Sequence, residues 1–201
     1  MLVSAIMPTR RRPALSWVAL DCFRAQTYES REILILDDED DPSFQDVSLE
    51  PAARYLRLPR LSIGAKRNVL CEAARGEIII HWDSDDWSAP ERISDEVERL
   101  LASGKSMAGY HSLLFWDDRN SLGYRWTGPN GYACGASLCY YREFWAAHNF
   151  PDISVAEDKA MVLKAQKAAS IATADGRQML IARVHGANTS SAQRIGQNNW
   201  P

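Results

Sequence analysis

Neither a CxxC pair nor a zinc-ribbon spacing occurs among the four cysteines, Cys22, Cys71, Cys134 and Cys139. That argues against the usual thiol-ligated structural metals, and reduced, mostly buried thiols in a cytoplasmic protein are the expectation over a disulfide pair. No apolar run approaches the ~20 residues of a transmembrane helix, so no integral membrane segment is expected. The N-terminal "MLVSAIMPTRRRP" places its charges after a short apolar run instead of before it, unlike a signal peptide. Without a secretory signal, the "NTS" at 188–190 carries little meaning as a glycosylation acceptor. Charge of one sign is also lacking: the net charge is −3, which gives no general reason to expect nucleic acid or an anionic membrane as partner. Only "TRRRP" (9–13) is locally basic enough to meet an anion. Internal repeats, low-complexity tracts and linkers are absent as well.

What is present is ordinary for a globular protein. The 201 residues are 46% apolar and 24% charged, enough for one domain with a substantial core. "LVSAIM" (2–7) reads as a buried strand stopped by Pro8, followed by a helix over 14–26 with apolar residues at helical spacing. "EILIL" (32–36) is a second buried strand, ending in "DDEDD" (37–41) and Pro42, and "YLRLP" (55–59) alternates as an edge strand does. Ser62 caps a helix carrying "GAKRNVLCEAA", which Gly76 ends. "EIIIHW" (77–82) is the next strand, and 88–104 is a helix with a Ser88–Glu91 capping box and a closing Gly104. Beyond 105 the pattern is mixed: strands are expected at 106–116, 135–141 and 178–185, and a helix at 155–168. Apolar strands alternating with helices indicate a parallel sheet covered on both faces.

Ligands of open α/β sheets bind beyond the carboxyl ends of the parallel strands. Three predicted strand ends carry polar residues there: Pro8-Thr9, Asp37-Asp38, and Asp83-Ser84-Asp85 within "HWDSDDW" (81–87). Alone, "DDEDD" reads as a solvated turn; a second acidic strand end on the same rim weakens that reading. Carboxylates two apart in an extended segment point the same way, and such hard oxygen ligands suit Mg²⁺ or Mn²⁺ with substrate phosphates completing the shell. Without a cation, Asp83, Asp85 and Asp86 repel one another.

The segments "VSAIMPTRRRP", "ILILDDEDD", "IGAKRNVLCEAARGEIIIHWDSDDW" and "AEDKAMVLKA" resemble, in order, the signature segments of the family 2 glycosyltransferases. The resemblance covers roughly residues 2–100 and returns near 157 and 185. It implies an α/β fold of the GT-A (Rossmann-like) type, a three-layer sandwich with a mostly parallel central sheet. It also implies one domain over 1–201, with a nucleotide-sugar-binding half (1–87) and an acceptor-binding half (88–201). The implied activity is metal-dependent, inverting transfer of a sugar from a nucleotide-diphosphate donor, a UDP-sugar first, to a carbohydrate or other hydroxyl acceptor, with Mn²⁺ or Mg²⁺ as cofactor.

Carried over by position, Pro8 and Thr9 line the base and ribose, and Asp38 accepts a hydrogen bond from the base. Arg67 sits against the base or diphosphate, a contact that its place after the helix's Gly64 start favours over a solvated basic face shared with Lys66. Asp83 and Ser84 lie near the ribose, and Asp85 is the metal ligand. Asp158, in the late "ED", is the base that takes the acceptor proton; a helix-start carboxylate is the alternative. His185 matches a late histidine that touches metal or diphosphate in some members. Asp86 supports the loop by hydrogen bonding.

Departures are the arginines at 10 and 11, where an aromatic and an asparagine are common, and "DDEDD" in place of "DDGS". The short stretch after His185 leaves little room for an elaborate acceptor domain. His81, His111 and His148 are expected to be structural. Core packing is the default for Trp82, Trp87, Trp116 and Trp126, and 126–135 reads as a loop near the acceptor site or a mobile lid. Two rivals stand beside the transferase: a Mg²⁺-dependent nucleotidyltransferase, for which "PTRRRP" lacks the glycine-rich phosphate loop, and a non-catalytic nucleotide-sugar-binding module, which has no need of a base in "AED".

Overall fold

The structure, a computed structural model, describes residues 1–38, 52–129 and 131–189. The acidic positions 39–41, Pro42 and residue 190 of "NTS" lie outside the described residues. The chain runs β1 (Val3–Thr9), α1 (Pro13–Arg24), β2 (Arg31–Asp37), β3 (Ala53–Arg57), α2 (Ile63–Ala73), β4 (Ile78–His81), β5 (Trp87–Ser88) and α3 (Arg92–Ser103). It continues through β6 (Met107–Asp117), β7 (Leu122–Thr127), a 3-10 turn (Gly135–Ser137), β8 (Cys139–Tyr141), α4 (Arg142–Ala147), α5 (Glu157–Lys167), β9 (Ile171–Asp175) and β10 (Leu180–Val184).

All these strands join one sheet, ordered β3-β2-β1-β4-β8-β6-β10-β5, with β7 and β9 also paired to β6. The β3-β2-β1-β4 portion is parallel throughout, whereas β8 joins it antiparallel. Strand order reverses between β1 and β4, the kind of switch point where a crevice opens past the strand ends. The apolar runs of β1, β2 and β4 are continuous because both faces are covered. Ala5, Met7, Ile33, Ile35, Ile78 and Ile80 pack with Leu20 and Phe23 of α1 and Ile93, Val97 and Leu100 of α3. The intervening Ile6, Leu34, Leu36 and Ile79 pack with Leu70 of α2, Phe144 and Trp145 of α4, and Met161 and Val162 of α5. The result is three layers, with α1 and α3 on one face and α2, α4 and α5 on the other. No helix among the described residues is long and apolar enough to cross a membrane.

Several local expectations need correction. Pro8 does not stop β1, which runs to Thr9. The Ile6 carbonyl accepts from Trp82 N–H, so Pro8, two residues on, faces the same side beyond the last β1–β4 pair at Ile6–His81, and its missing N–H leaves no ladder bond unmade. The Ser88–Glu91 capping box is not formed. Ser88 belongs to β5, its hydroxyl accepts from Arg92 Nη1 (2.9 Å), and the first-turn N–H of Ile93 is capped by Gln26 Oε1 (3.0 Å) from the end of α1. Gly104 does close α3, in the left-handed conformation (φ 62°), and Ser62 does cap α2 by accepting from Ala65 N–H. Gly76 lies past the end of α2 and serves close approach instead, since a Cβ there would sit 2.7 Å from the Leu2 carbonyl. Within 135–141 only Cys139–Tyr141 is strand, and Trp126 and Thr127 belong to β7 rather than to a loop.

Candidate functional site

A cavity of about 650 Å³ opens beyond the carboxyl ends of β1, β2 and β4. Pro8 and Thr9 from β1, Asp38 after β2, and Asp83, Ser84 and Asp85 after β4 all line it. Arg67 of α2 and Asp158 of α5 line it from the facing helices. His185, just after β10, is not among the lining residues but reaches the cavity through a hydrogen bond to Asp85.

Two neighbouring cations of α2 organise the floor. Lys66 Nζ pairs with Asp38 Oδ1 at 2.7 Å and donates to the Thr9 carbonyl at 2.8 Å, tying the ends of β1 and β2 together. Asp38 Oδ2 accepts from Leu61 N–H at 3.1 Å. Burial lowers the Lys66 pKa, and Asp38 opposes the fall. The solvated basic face does not exist: Lys66 and Arg67 are each 4% exposed. Arg67 joins the other two sides, donating to Asp83 Oδ1 at 3.0 Å and to Glu157 Oε1 at 3.3 Å. Its Nη1 nitrogen has no partner among the described residues. Glu157 and Asp158 both have raised pKa values because burial disfavours their charge, and in each case Arg67 holds the rise down.

The acidic loop divides by direction. Asp86 turns into the protein and accepts from Arg183 N–H at 2.9 Å; burial, then Asp85 and Asp83, push its pKa well above the usual carboxylate range. Asp85 instead gathers donors on one oxygen, Oδ2: Arg12 Nη1, His185 Nε2 (2.9 Å) and Asn188 Nδ2 (3.2 Å). His185 Nδ1 accepts from Ala187 N–H at 3.1 Å, which assigns the ring proton to Nε2, facing Asp85. Among the described residues no group of three or more His, Cys, Asp or Glu is arranged to hold a metal alone. The donor set nevertheless fits a Mg²⁺- or Mn²⁺-type ion, which takes one or two protein ligands and completes its shell with phosphate and water. Asp85 already carries a cation, the Arg12 guanidinium, at that oxygen.

Asp158 owes its position to two backbone features that the sequence pattern did not reveal. A Cβ on Gly135 would fall 1.4 Å from Asp158 Oδ2, so the carboxyl occupies space that only glycine leaves. Gly135 is fixed by its carbonyl, which accepts from His81 Nδ1–H at 2.7 Å, while His81 Nε2 meets the Tyr140 hydroxyl at 3.2 Å. His81 is fully buried, and burial, followed by Arg67, holds its pKa well below the ordinary value. Ala156, the N-cap of α5, has φ 66°, a left-handed conformation that costs a non-glycine residue energy immediately before Glu157 and Asp158. Ala156→Gly is therefore expected to stabilise the protein by roughly 0.5–1 kcal/mol, seen as a rise in Tm of about 1–4 °C. A lower Tm would show that the methyl group's contacts outweigh the strain.

The tryptophans separate by environment. Trp82 is core, its indole N–H donating to the Ala19 carbonyl, but Trp87 and Trp116 are 43% and 42% exposed. Trp126 lines the cavity with Tyr132, their ring centroids 6.2 Å apart.

The three-layer α/β fold, with its polar crevice past the parallel strands, is that of the GT-A class. Residues 4–150 match the model of glycosyl transferase family 2, and the chain belongs to that family. It is 36% identical over 87 residues to EpsH of Bacillus subtilis (strain 168), covering 41% of this chain and 24% of EpsH. Among solved structures it is similar to S. aureus TarS in complex with UDP-GlcNAc (TM-score 0.74, 17% identity, 95% of this chain and 62% of that one). It is also similar to the mannosyltransferase PcManGT from Pyrobaculum calidifontis in complex with GDP-Man and Mn²⁺ (TM-score 0.71, 14% identity, 96% and 59%). The chain thus spans about a quarter of EpsH and about three-fifths of those two structures.

Proposed function

We propose that this chain catalyses inverting, metal-dependent transfer of a sugar from a nucleotide-diphosphate donor, a UDP-sugar first, to an acceptor hydroxyl. The observation that carries this reading is one cavity joining a cation point at Asp85, a buried guanidinium at Arg67 and a carboxylate of raised pKa at Asp158. The complexes of its structural neighbours with UDP-GlcNAc and with GDP-Man and Mn²⁺ support a nucleotide-sugar donor. In this reading residues 1–87 hold the donor and 88–201 the acceptor.

Pro8, Thr9 and Asp38 line the base, with Lys66 holding Asp38 in place through its 2.7 Å ion pair. Asp83 and Ser84 flank the ribose. Arg67, with one nitrogen left over from its two carboxylate bonds, offers positive charge to the diphosphate. Asp85 would hold the divalent ion, which when bound neutralises charge developing on the leaving diphosphate; His185 would join it through Nε2 once its ring proton moves to Nδ1 and the Ala187 bond is given up. Asp158 accepts the acceptor's hydroxyl proton as that oxygen bonds to the anomeric carbon and the bond from that carbon to the diphosphate breaks. A single displacement inverts the anomeric centre, and the nucleoside diphosphate leaves with the bonding electron pair.

Thermal unfolding with UDP, GDP, dTDP and CDP, each with and without Mn²⁺, tests the donor side. A ligand at about a hundred times its Kd stabilises by ~2.7 kcal/mol, a rise of roughly 5–10 °C for a domain of this size. A Mn²⁺-dependent rise with one nucleotide supports the reading and identifies the base. No rise with any of them overturns it.

A further inference from the structure

We infer that Arg12 is a built-in occupant of the cation point at Asp85, and that its release couples metal entry to diphosphate binding. The inference rests on the reading of Asp85 as a metal ligand. Arg12 immediately precedes α1, Asp85 follows β4, and His185, Ala187 and Asn188 follow β10, so three distant chain segments meet at one carboxylate oxygen. Beyond its bond to Asp85, Arg12 donates to the Ala187 carbonyl at 3.3 Å through Nη2 and to the Arg10 carbonyl at 3.4 Å through Nε. The cluster is shielded from solvent: the side chains of Arg12, Asp85 and His185 are 15%, 9% and 10% exposed.

The chemistry at that oxygen is a competition. Arg12, His185 and Asn188 converge on it, and of the three only Arg12 is a permanent cation. A divalent ion cannot add to this set, because a guanidinium and a metal on one oxygen in a shielded site repel each other strongly. Arg12 must therefore withdraw first. Withdrawal strands its charge at the cavity wall unless another anion receives it, and a diphosphate in the same cavity, which Arg12 also lines, is such an anion, matched to the planar guanidinium fork. Metal alone then binds weakly, and nucleoside diphosphate strengthens it. By linkage the metal strengthens nucleotide binding by the same factor. A neutral side chain at position 12 removes the competitor and the coupling together.

Mn²⁺ affinity, read from the free-ion electron paramagnetic resonance signal, tests this without any turnover. It would be measured for wild type, Arg12→Met and Arg12→Lys, alone and with UDP or GDP. In wild type, nucleotide is expected to tighten Mn²⁺ on the order of 5–150-fold, the usual span of such coupling. In Arg12→Met, Mn²⁺ alone should bind more tightly than in wild type, and nucleotide should add little. Arg12→Lys, which keeps the charge and loses the fork, should fall back toward wild-type weakness for Mn²⁺ alone. Equal Mn²⁺ affinity in wild type and Arg12→Met without nucleotide overturns the inference and leaves Asp85 as metal ligand intact. Absence of Mn²⁺ binding in every protein, with nucleotide present, overturns the metal reading and this inference with it.

Discussion

Asp158→Asn is expected to lower transfer by about 10²–10⁴-fold, the usual contribution of a positioned general base, with donor affinity unchanged. Asparagine keeps the size of the side chain, and its oxygen can still accept from Lys159 N–H, which Asp158 Oδ1 does now at 2.7 Å. Only the capacity to take a proton is lost. Because burial raises the Asp158 pKa against the opposing pull of Arg67, the wild-type rate should climb as pH rises through that raised value and then level off. The residual rate of the variant should lack that limb. Stability gives a second readout. A carboxyl whose folded pKa lies above its unfolded value favours folding less as pH rises past the unfolded value, since the folded state then holds the extra proton. The asparagine variant should accordingly unfold at a slightly higher temperature than wild type at pH 8, and this advantage should vanish in acid. Wild-type kcat in this variant removes Asp158 from the mechanism, and loss of nucleotide affinity makes it a binding group instead.

The parts of the molecule legible in the sequence are those fixed by burial on a regular period. β1, β2 and β4 carry near-continuous apolar runs because two helical layers cover them, and α1, α2, α3 and α5 repeat their apolar residues at helical spacing. The segments missed have weak or short signals. β5 is two residues and α4 six; β7 is a largely exposed hairpin partner of β6; and no residue of β9 is fully buried. The capping box failed for a reason no local pattern contains, since the cap of α3 comes from Gln26, 67 positions away from Ile93.

The site divides along the same line. Parallel strands end on one rim, so Thr9, Asp38 and Asp83 to Asp85 could be placed together from strand order alone. The residues that hold them were not legible. Arg12 meets Asp85 across 73 positions and Lys66 meets the Thr9 carbonyl across 57, and neither position is distinguished by residue type within its own segment. Gly135 falls where the expected loop at 126–135 meets the expected strand at 135–141, and no local pattern singles it out. Its importance lies in the space above its Cα, which a one-dimensional pattern does not record.

That space gives the other large effect: Gly135→Ala should remove transfer nearly as fully as Asp158→Asn, in a protein that still folds. The added Cβ would lie 1.4 Å from Asp158 Oδ2, 2.4 Å from Cγ and 2.8 Å from its Cβ, all closer than real contacts allow. The carboxyl must rotate off Gly135, and the first turn of α5 must yield by a few tenths of an ångström. Gly135 is not among the glycines of positive φ, so alanine meets no backbone penalty there, and the 3-10 turn with its His81 bond can persist. The expected cost is that of overpacking, about 1–3 kcal/mol, or roughly 2–12 °C in Tm. Displacing a reacting group by about 1 Å costs on the order of 10²-fold in rate, and a carboxyl rotated to another rotamer moves farther than that. Nucleotide affinity should survive, because Asp38, Lys66 and Arg67 are untouched, and this separates the variant from one that is merely misfolded. Gly135→Ala with wild-type kcat would mean that the reaction does not need the Asp158 carboxyl where Gly135 makes room for it, and the base would have to be sought in Glu157, held 3.3 Å from Arg67 on the same helical turn.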